Sequence, residues 1–262
     1  MKTFFLLALM YVASQTMAFA QSCSKHSPAY QIALLELYTS EGCSSCPPAD
    51  RSFSALRNGM GMGMAGWPGL DQVVPLALHV DYWDYIGWKD VFASPAYTAR
   101  QRWLSDQTGK RAVYTPEMFI GGQELRNWHS DIPAAVRRIN SQPSGANINI
   151  MLGKVVAGSV SVGVNAQAAQ GGKLFVALYE NDLTSRIRAG ENDGVTLHHD
   201  YVVRQWIGPI AIQPGANAGK TGLQRVLILP TGSLGKNLGI AAFVEGDKGV
   251  VLQALALPFC GT

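Results

Sequence analysis

The sequence has few charged residues and lacks long runs of any one kind, and each shortage argues against a class of protein. Charged residues make up only 15% of the 262 residues, and the formal net charge is +3. Because the Lys and Arg residues are scattered and form no run, nucleic-acid binding is not expected. No stretch beyond the first residues is apolar for long enough to span a bilayer, so membrane insertion is not expected either.

Several motifs of known chemistry are also missing. The chain has four cysteines, but only two of them stand close together, so the four ligands of a zinc finger are not completed. No G-x-S-x-G sequence occurs, which leaves a serine hydrolase unsupported. His198-His199-Asp200 has no matching ligand cluster and is interpreted as the start of a strand. We expect no cofactor.

The first 20 residues have the pattern of an export signal. Lys2 supplies a positive start, residues 4–12 are an apolar run, and Ala18-Phe19-Ala20 matches an A-x-A cleavage site. Cys23 is not expected to carry a lipid, because Gln21 fits a lipidation box poorly. We therefore expect residues 1–20 to be removed and the mature bacterial protein to be periplasmic or secreted.

Four cysteines in an exported chain favour disulfides. Cys43 and Cys46 are three positions apart and can pair locally, which leaves Cys23 and Cys260 near the two mature ends. Because the ends of domains often lie close together, we expect a Cys23–Cys260 disulfide. The alternative is that these two cysteines are free or pair between chains. The sequence does not specify the oligomeric state.

Residues 30–142 are predicted to alternate strands and helices. The predicted strands are 32–38, 72–80, 117–120 and 123–125, and the helices are 47–57, one capped by Ser94 and one capped by Asp131. Pro75 is expected to form a bulge or to move the strand start towards Leu76, and Gly121-Gly122 is a hairpin signal. The order β-α-β-α-β-β-α indicates an α/β sheet covered on both faces.

A linker rich in Pro, Gly and Ser at residues 141–145 precedes a region of different composition. From residue 146 to residue 257, strand-length apolar runs are separated by Gly, Asn and Asp, and no helical period appears. The runs are 155–164, 174–179, 201–207, 226–229, 240–244 and 250–255. This pattern predicts an all-β, sandwich-like domain.

Three features of the first region are predicted to meet at one edge of its sheet. Cys43 and Cys46 follow the first strand, residues 79–85 close the second, and Tyr114-Thr115-Pro116 opens the third. The first two strands should run parallel and the third antiparallel, so these three segments share one edge. Open α/β sheets bind ligands in the crevice beyond such strand ends.

The strand and helix order, with two thiols in the loop after the first strand, resembles the thioredoxin fold. Thr115-Pro116 followed by residues 117–122 looks like the cis-proline segment of thioredoxins and glutaredoxins. This resemblance implies that Pro116 is cis and packs beside the disulfide, and that Thr115 receives the substrate backbone.

A closer resemblance is to an exported, thioredoxin-like bacterial family of unassigned function, domain-of-unknown-function family twelve-twenty-three. It is carried by residues 36–50, 79–103 and 114–122, and more loosely by residues 197–206. The resemblance implies the fold and the compartment, and it does not supply an activity.

The leading functional interpretation is a thiol–disulfide oxidoreductase or disulfide-handling protein that acts on a thiol or disulfide protein or peptide. By analogy with the family, Cys43 attacks and Cys46 resolves the mixed disulfide. Pro47-Pro48 disfavours a helical Cys46, so the helix is expected to start after the thiol pair. Ser44-Ser45 supplies no positive charge to stabilise a thiolate. The alternatives are a static local disulfide and a non-catalytic module that binds a peptide or a soft metal.

Three polar residues are further candidates for the site. Glu36 is interpreted either as a proton acceptor for Cys46 or as an ordinary solvated strand glutamate. His79 and Asp81 are two residues apart, so they can face the same side of an extended segment and tune Cys43 or bind a metal. The alternative for His79 is a satisfied, half-buried histidine.

The remaining candidates are aromatic residues and methionines. Tyr82, Trp83, Tyr85 and Trp88 are interpreted either as a rim that binds a peptide substrate or as a packed cover over the sheet edge. Met60, Met62 and Met64 alternate with glycine, and thioethers are soft ligands suited to Cu(I). A flexible Gly-rich surface loop explains the same three methionines.

Overall fold

The computed structural model describes residues 23–57, 68–110, 112–215 and 219–260, which form a mixed α/β structure rich in sheet. Within these residues, no helix is apolar over a length that could cross a membrane. The helices are α1 (Pro47–Arg57), α2 (Pro95–Gln107) and α3 (Trp128–Asn140), and the strands are β1 (Cys23–His26), β2 (Ala33–Thr39), β3 (Val73–His79), β4 (Glu117–Ile120), β5 (Gln123–Glu124), β6 (Asn147–Val156), β7 (Ser159–Gln167), β8 (Gly172–Glu180), β9 (Leu183–Arg186), β10 (Thr196–His199), β11 (Val202–Ile212), β12 (Lys220–Ile228), β13 (Leu238–Glu245) and β14 (Val251–Pro258).

An eight-stranded sheet runs through both predicted regions in the order β14-β13-β8-β11-β3-β2-β4-β5. β2 and β3 are parallel and β4 is antiparallel to β2, as predicted. β11 joins the two halves of the sheet, because it pairs with β3 on one side and with β8 on the other. The linker at residues 141–145 therefore separates two regions of the sequence that share one sheet.

A second, four-stranded sheet has the order β1-β6-β7-β12. Its inward side chains, such as Ile150 and Val162, form one buried cluster with Val176 and Ile240 of the eight-stranded sheet. The strands after residue 146 thus lie in two packed sheets, one of which continues into the first region. β1 was not predicted, and it pairs with β6.

Two predicted element bounds are wrong for local reasons. The third helix begins at Trp128 and not at Asp131, because the carbonyl of Asn127 already accepts the amide of Asp131 and closes the first turn. The predicted strand 155–164 is two strands, β6 and β7, joined by a tight turn. Ala157 and Gly158 both have positive φ, at 48° and 72°, which suits a two-residue hairpin turn.

Pro75 neither bulges nor delays its strand, contrary to prediction. It lies inside β3 and pairs in register with Leu35 of β2. The amide of Ala77, two residues later, points to Tyr201 beside β11, so the amide-less nitrogen of Pro75 points to the same side. β11 begins to pair only at Ala77, so no ladder hydrogen bond is lost at Pro75.

The predicted Cys23–Cys260 disulfide is confirmed. It connects β1 to the residues after β14 and closes a loop with a sequence separation of 237. In the chain-entropy account, closing so long a loop stabilises the folded state by roughly 5 kcal/mol. The disulfide thus ties β1, an edge strand of the four-stranded sheet, to the end of β14, an edge strand of the eight-stranded sheet.

Candidate functional site

Cys43 and Cys46 form a disulfide in the loop between β2 and α1, which we call the thiol loop (residues 40–46). Helix α1 begins at Pro47, directly after the disulfide, as the two prolines predicted. The Thr115–Pro116 bond is cis, and the Thr115 carbonyl oxygen lies 3.7 Å from Cys43 Sγ. The predicted meeting of the thiol loop with the Pro116 segment is therefore confirmed.

The disulfide is covered, whereas the residues inside its ring are exposed. Cys43 and Cys46 are both 0% exposed, and Ser44 and Ser45 face solvent. The Ser45 hydroxyl oxygen is 3.3 Å from Cys43 Sγ and 3.3 Å from the Thr115 carbonyl oxygen. It can donate to the carbonyl in the oxidised form and turn to a Cys43 thiolate in the reduced form. From the sequence, Ser44-Ser45 was expected to offer a Cys43 thiolate no stabilising positive charge, and the possible hydrogen bond from the Ser45 hydroxyl was overlooked.

The segment between β3 and α2 braces the site with its aromatic residues. The indole N–H of Trp83 donates to Thr115 Oγ1 at 2.7 Å, and that of Trp88 donates to Glu41 Oε2 at 2.8 Å. Burial raises the pKa of Tyr82 to about 12. Tyr85 is 82% exposed. Of the four predicted aromatics, Trp83 and Trp88 support the site by these bonds, and Tyr85 is free to meet a partner.

Asp81 is tied to helix α2. Its carboxylate accepts a hydrogen bond from the Thr98 hydroxyl at 2.5 Å, and its amide donates to Thr98 Oγ1 at 3.2 Å. These bonds hold the end of β3 against α2 and do not involve the thiol loop. His79, two residues earlier, does not share these bonds and contacts Asp90 instead.

Five buried ionisable residues form a group beside the thiol loop, which we call the acid–histidine cluster: Glu41, Asp50, His79, Asp90 and His199. None of them is more than 5% exposed. His79 Nδ1 is 2.7 Å from Asp90 Oδ2, which also accepts the amide of Glu41. The rings of His79 and His199 are 5.0 Å apart, and His199 Nε2 is 3.5 Å from Glu41 Oε1.

Opposing effects set the pKa values in the acid–histidine cluster. Burial raises the pKa of Asp50 above its usual range, and the two nearby histidines only partly offset this. Burial alone would lower the pKa of His79, but the adjacent Asp90 carboxylate outweighs it, and the pKa is raised. Burial likewise opposes ionisation of Asp90, yet His79 lowers its pKa. His79 and Asp90 therefore stabilise each other as an ion pair.

The cluster also contains buried polar atoms that make no hydrogen bond within the described part of the chain. These are Glu41 Oε1, His79 Nε2 and both ring nitrogens of His199. Buried polar groups are normally hydrogen-bonded, so each exception calls for a physical account. Over the same described ranges, no three His, Cys, Asp or Glu side chains are arranged to hold a metal ion. Imidazole and carboxyl groups are side chains that can hold and transfer protons.

Asp50 is the member of this cluster that lies on helix α1, directly after the thiol loop. It lies in the first turn of α1, four residues after Cys46, whose carbonyl accepts the Asp50 amide. Residues four apart lie on one face of a helix. Asp50 also lines a cleft of about 440 Å³ between α1 and β10, together with Pro47, Leu197 and His198. The cleft therefore brings one member of the buried cluster close to the protein surface.

Glu36 belongs to a separate buried group. Its carboxylate accepts hydrogen bonds from Arg100 Nε at 2.5 Å and Nη2 at 3.1 Å, and from the Tyr38 hydroxyl at 3.2 Å. Arg100 also donates to Glu245 at 3.1 Å. The prediction of a solvated glutamate is wrong, because Glu36 is fully buried. Its carboxylate is instead held by Arg100 and Tyr38.

The second region contributes a loop to the site, residues 187–195 between β9 and β10. Asn192 Nδ2 donates to the carbonyl oxygens of Glu41 at 2.8 Å and Cys43 at 3.0 Å. Glu191 Oε2 accepts the Ser44 amide at 3.0 Å and the Ser44 hydroxyl at 2.8 Å. No local sequence pattern marks Glu191 or Asn192, since their partners lie about 150 positions away.

Sequence reasoning also missed His199, Glu41, Asp50 and Asp90 as site residues. Only His199 carried a signal, as part of the His198-His199-Asp200 run. Met60, Met62 and Met64 lie outside the described residues, as do residues 1–20, so the Cu(I) and export hypotheses stay predictions.

Comparison with a model of the family described as "Protein of unknown function (DUF1223)" gives a match over residues 34–245. The chain belongs to this family. The match contains the thiol loop, the acid–histidine cluster and loop 187–195, so the family resemblance found in the sequence is confirmed. Its description assigns no activity.

Among solved structures, the chain is similar to the crystal structure of protein AGR_C_4864 from Agrobacterium tumefaciens. The two are 23% identical with a TM-score of 0.57, and the match covers 89% of this chain and 96% of the other. This similarity shows the fold alone. A second match, to the MHC-like protein MILL2, covers 54% of this chain and 58% of the other at 9% identity, and its TM-score of 0.25 is too low to support any argument. No curated protein matches the sequence.

Proposed function

We propose that this protein is an exported, thioredoxin-like thiol–disulfide oxidoreductase that acts through Cys43 and Cys46. The observation that carries the proposal is the 3.7 Å distance between Cys43 Sγ and the carbonyl oxygen of Thr115. A substrate strand bound along the Thr115–Pro116 segment would bring its own sulfur to Cys43. The element order β2-α1-β3-α2-β4-β5-α3, with the disulfide after β2, supports the thioredoxin-like assignment.

The reaction needs only the substrate's thiols and the disulfide. A substrate thiolate attacks Cys43 Sγ, the Cys43–Cys46 bond breaks, and Cys46 leaves with the electron pair. Asp50, supplied by the acid–histidine cluster, gives a proton to the Cys46 thiolate. A second substrate thiolate then attacks the substrate sulfur of the mixed disulfide and releases Cys43. The substrate dithiol is thereby oxidised and the cysteine pair reduced, and the reverse sequence reduces a substrate disulfide.

The burial of Cys43 adds one requirement to this mechanism. An attacking thiolate must reach Sγ along the axis of the S–S bond, but Cys43 is fully covered in the oxidised form. Ser44 and Ser45 are exposed and belong to the same ring, so the turn they form is the segment that has to move. We therefore propose that binding of a substrate peptide displaces this turn.

The compartment and the division into regions belong to the same proposal. Removal of residues 1–20 would place the protein in the periplasm or outside the cell. Both cysteine pairs are disulfide-bonded, and such bonds persist in oxidising compartments. Residues 30–142 would be a thioredoxin-like unit, and residues 146–257 a sandwich-like unit that extends the same sheet.

A second candidate function is a non-catalytic module that binds a peptide. Two observations favour it: Cys43 is fully buried, and the neighbouring Tyr85 is 82% exposed. Exposed tyrosines often dominate contact surfaces. In this case the Cys43–Cys46 disulfide would hold the loop shape and would not exchange.

Trapping separates the two functions. The Cys46→Ala variant should form a stable mixed disulfide with a model peptide that carries one activated cysteine, because no resolving thiol remains. The matched Cys43→Ala variant should form none at Cys46, because the proposed substrate position beside Thr115 lies at Cys43. Mass spectrometry of the adduct identifies the cysteine used. If the Cys46→Ala variant forms no adduct while the peptide still binds, the binding module is supported and the oxidoreductase is rejected.

A further inference from the structure

Loop 187–195 places a carboxylate against the residue that separates the two cysteines. Glu191 Oε2 accepts both the amide and the hydroxyl of Ser44, at 3.0 Å and 2.8 Å. These hydrogen bonds, the amide bond first, lower the pKa of Glu191, so the side chain is ionised at neutral pH. The negatively charged carboxylate of Glu191 therefore contacts Ser44, the residue that follows Cys43 in the chain.

The position of Glu191 is held by its neighbours. Asn192 is buried and bonds to two carbonyl oxygens of the thiol loop. At Gly190, a β-carbon would lie 2.9 Å from Ile86 Cδ1, so the loop packs tightly against the segment between β3 and α2. Ile86 also packs against Gly42, where a β-carbon would lie 3.2 Å away. Loop 187–195, the segment between β3 and α2, and the thiol loop thus pack against one another.

We propose that Glu191 is a positioning residue that makes the Cys43–Cys46 disulfide harder to reduce. The proposal rests on the thiol loop being the redox site described above. Glu191 acts through Ser44: it occupies the Ser44 amide, which would otherwise be available to a Cys43 thiolate, and it adds a like charge nearby. Both effects destabilise the thiolate and so favour the disulfide.

This assigns a role to the second region of the chain. The cysteines and Pro116 come from residues 30–142, whereas Glu191 and Asn192 come from a hairpin about 150 positions later. The appended β structure therefore forms one wall of the site, and its loop adjusts the chemistry of the cysteines in the first region.

The test compares Glu191→Gln with Asp193→Asn in the full mature chain. Gln keeps an oxygen that can accept from Ser44 and removes only the charge, and Asp193 is an exposed carboxylate on the same loop. Each variant is equilibrated with reduced and oxidised glutathione, so that two glutathione thiols are oxidised as Cys43–Cys46 gains two electrons and two protons. Glu191→Gln should shift this equilibrium about three- to tenfold towards the dithiol, which is about 15–30 mV for a two-electron couple.

A second readout is the pKa of Cys43 in a Cys46→Ala background, followed by thiolate absorbance. Glu191→Gln should lower this pKa and Asp193→Asn should leave it unchanged. An unchanged equilibrium and pKa in Glu191→Gln overturns the proposal, as does an equal change in Asp193→Asn. If Glu191→Gln shifts both quantities but no substrate adduct forms at Cys43, the role of Glu191 stands and the oxidoreductase function fails.

Discussion

Two groups of buried ionisable residues lie on opposite faces of the same sheet and differ in how completely they are paired. Glu36 faces one side of β2, and Thr39, three residues later and in register with His79, faces the other. On the first side, Arg100 bonds to Glu36 and Glu245 and also lies 4.9–5.2 Å from three aromatic rings, those of Phe175, Trp206 and Phe243. On the second side, four polar atoms of the acid–histidine cluster make no hydrogen bond among the described residues.

This difference separates a structural role from a chemical one. Both carboxylates of the Arg100 group hydrogen-bond to the same guanidinium. Burial raises the pKa of Asp50 in the other cluster, the Asp90 carboxylate raises the pKa of His79, and several buried polar atoms there lack a hydrogen bond. We therefore assign the proposed proton transfer to the acid–histidine cluster, although both groups are buried.

The largest expected effect comes from breaking the paired group. Arg100→Met should lower the free energy of unfolding by about 3–5 kcal/mol, because it leaves Glu36 and Glu245 buried without a counter-charge. Urea denaturation measures this loss. Arg102→Met, an exposed position on the same helix, should change stability by less than about 0.5 kcal/mol. A loss below 1 kcal/mol for Arg100→Met would show that the two groups do not differ in the way described.

The second prediction concerns proton transfer at Asp50. Asp50→Asn should slow the reduction of the disulfide by a dithiol about 100-fold, because Cys46 loses its proton donor. It should not reduce stability at neutral pH, because a buried carboxyl with a raised pKa disfavours the folded state when ionised. Stopped-flow fluorescence of the nearby tryptophans follows the reaction.

The matched control for Asp50 is Glu36→Gln, on the other face of the sheet. It should cost stability and leave the rate of disulfide reduction unchanged once the fraction folded is accounted for. If Glu36→Gln slows reduction as much as Asp50→Asn does, the assignment of the proton acceptor to Asp50 is wrong.

The smallest expected effect is the pH dependence carried by the ion pair of His79 and Asp90. The pKa of His79 is raised above 6.5 on folding, so its stabilisation is complete below that pH and is lost as the pH rises through the folded-state pKa. The pKa of Asp90 is lowered below 3.8, so its contribution is present above that pH and is lost as the pH falls through the folded-state value. His79→Gln should remove the loss of stability on the alkaline side.

Unfolding free energies measured between pH 5 and pH 9 check this expectation. His198→Gln is the control, because His198 is an exposed histidine beside His199. His198→Gln should show the same decrease in unfolding free energy with rising pH as the natural protein. An unchanged slope in His79→Gln would mean that His79 is neutral in the folded protein.

Local patterns predicted the parts of the site that depend on chain order. The thiol loop follows a buried strand, and Pro47 starts the helix after it, because proline spacing and apolar runs act over a few residues. The Pro116 segment was predicted to meet Cys43 because parallel and antiparallel strand directions follow from the element order. The same reasoning could not choose between a buried and a solvated Glu36, because its partner Arg100 is 64 residues away and on a different element.

The sequence by itself determined the two disulfides, the strand and helix order around Cys43, and the family. Only the tertiary structure decided that both regions share one sheet, that Glu36 pairs with Arg100 while Asp50 joins the acid–histidine cluster, and that Glu191 reaches Ser44. The physical reason is that hydrogen bonds and ion pairs form between whatever groups the packed sheets bring within about 3 Å. For the acid–histidine cluster and loop 187–195, those groups lie far apart in the chain.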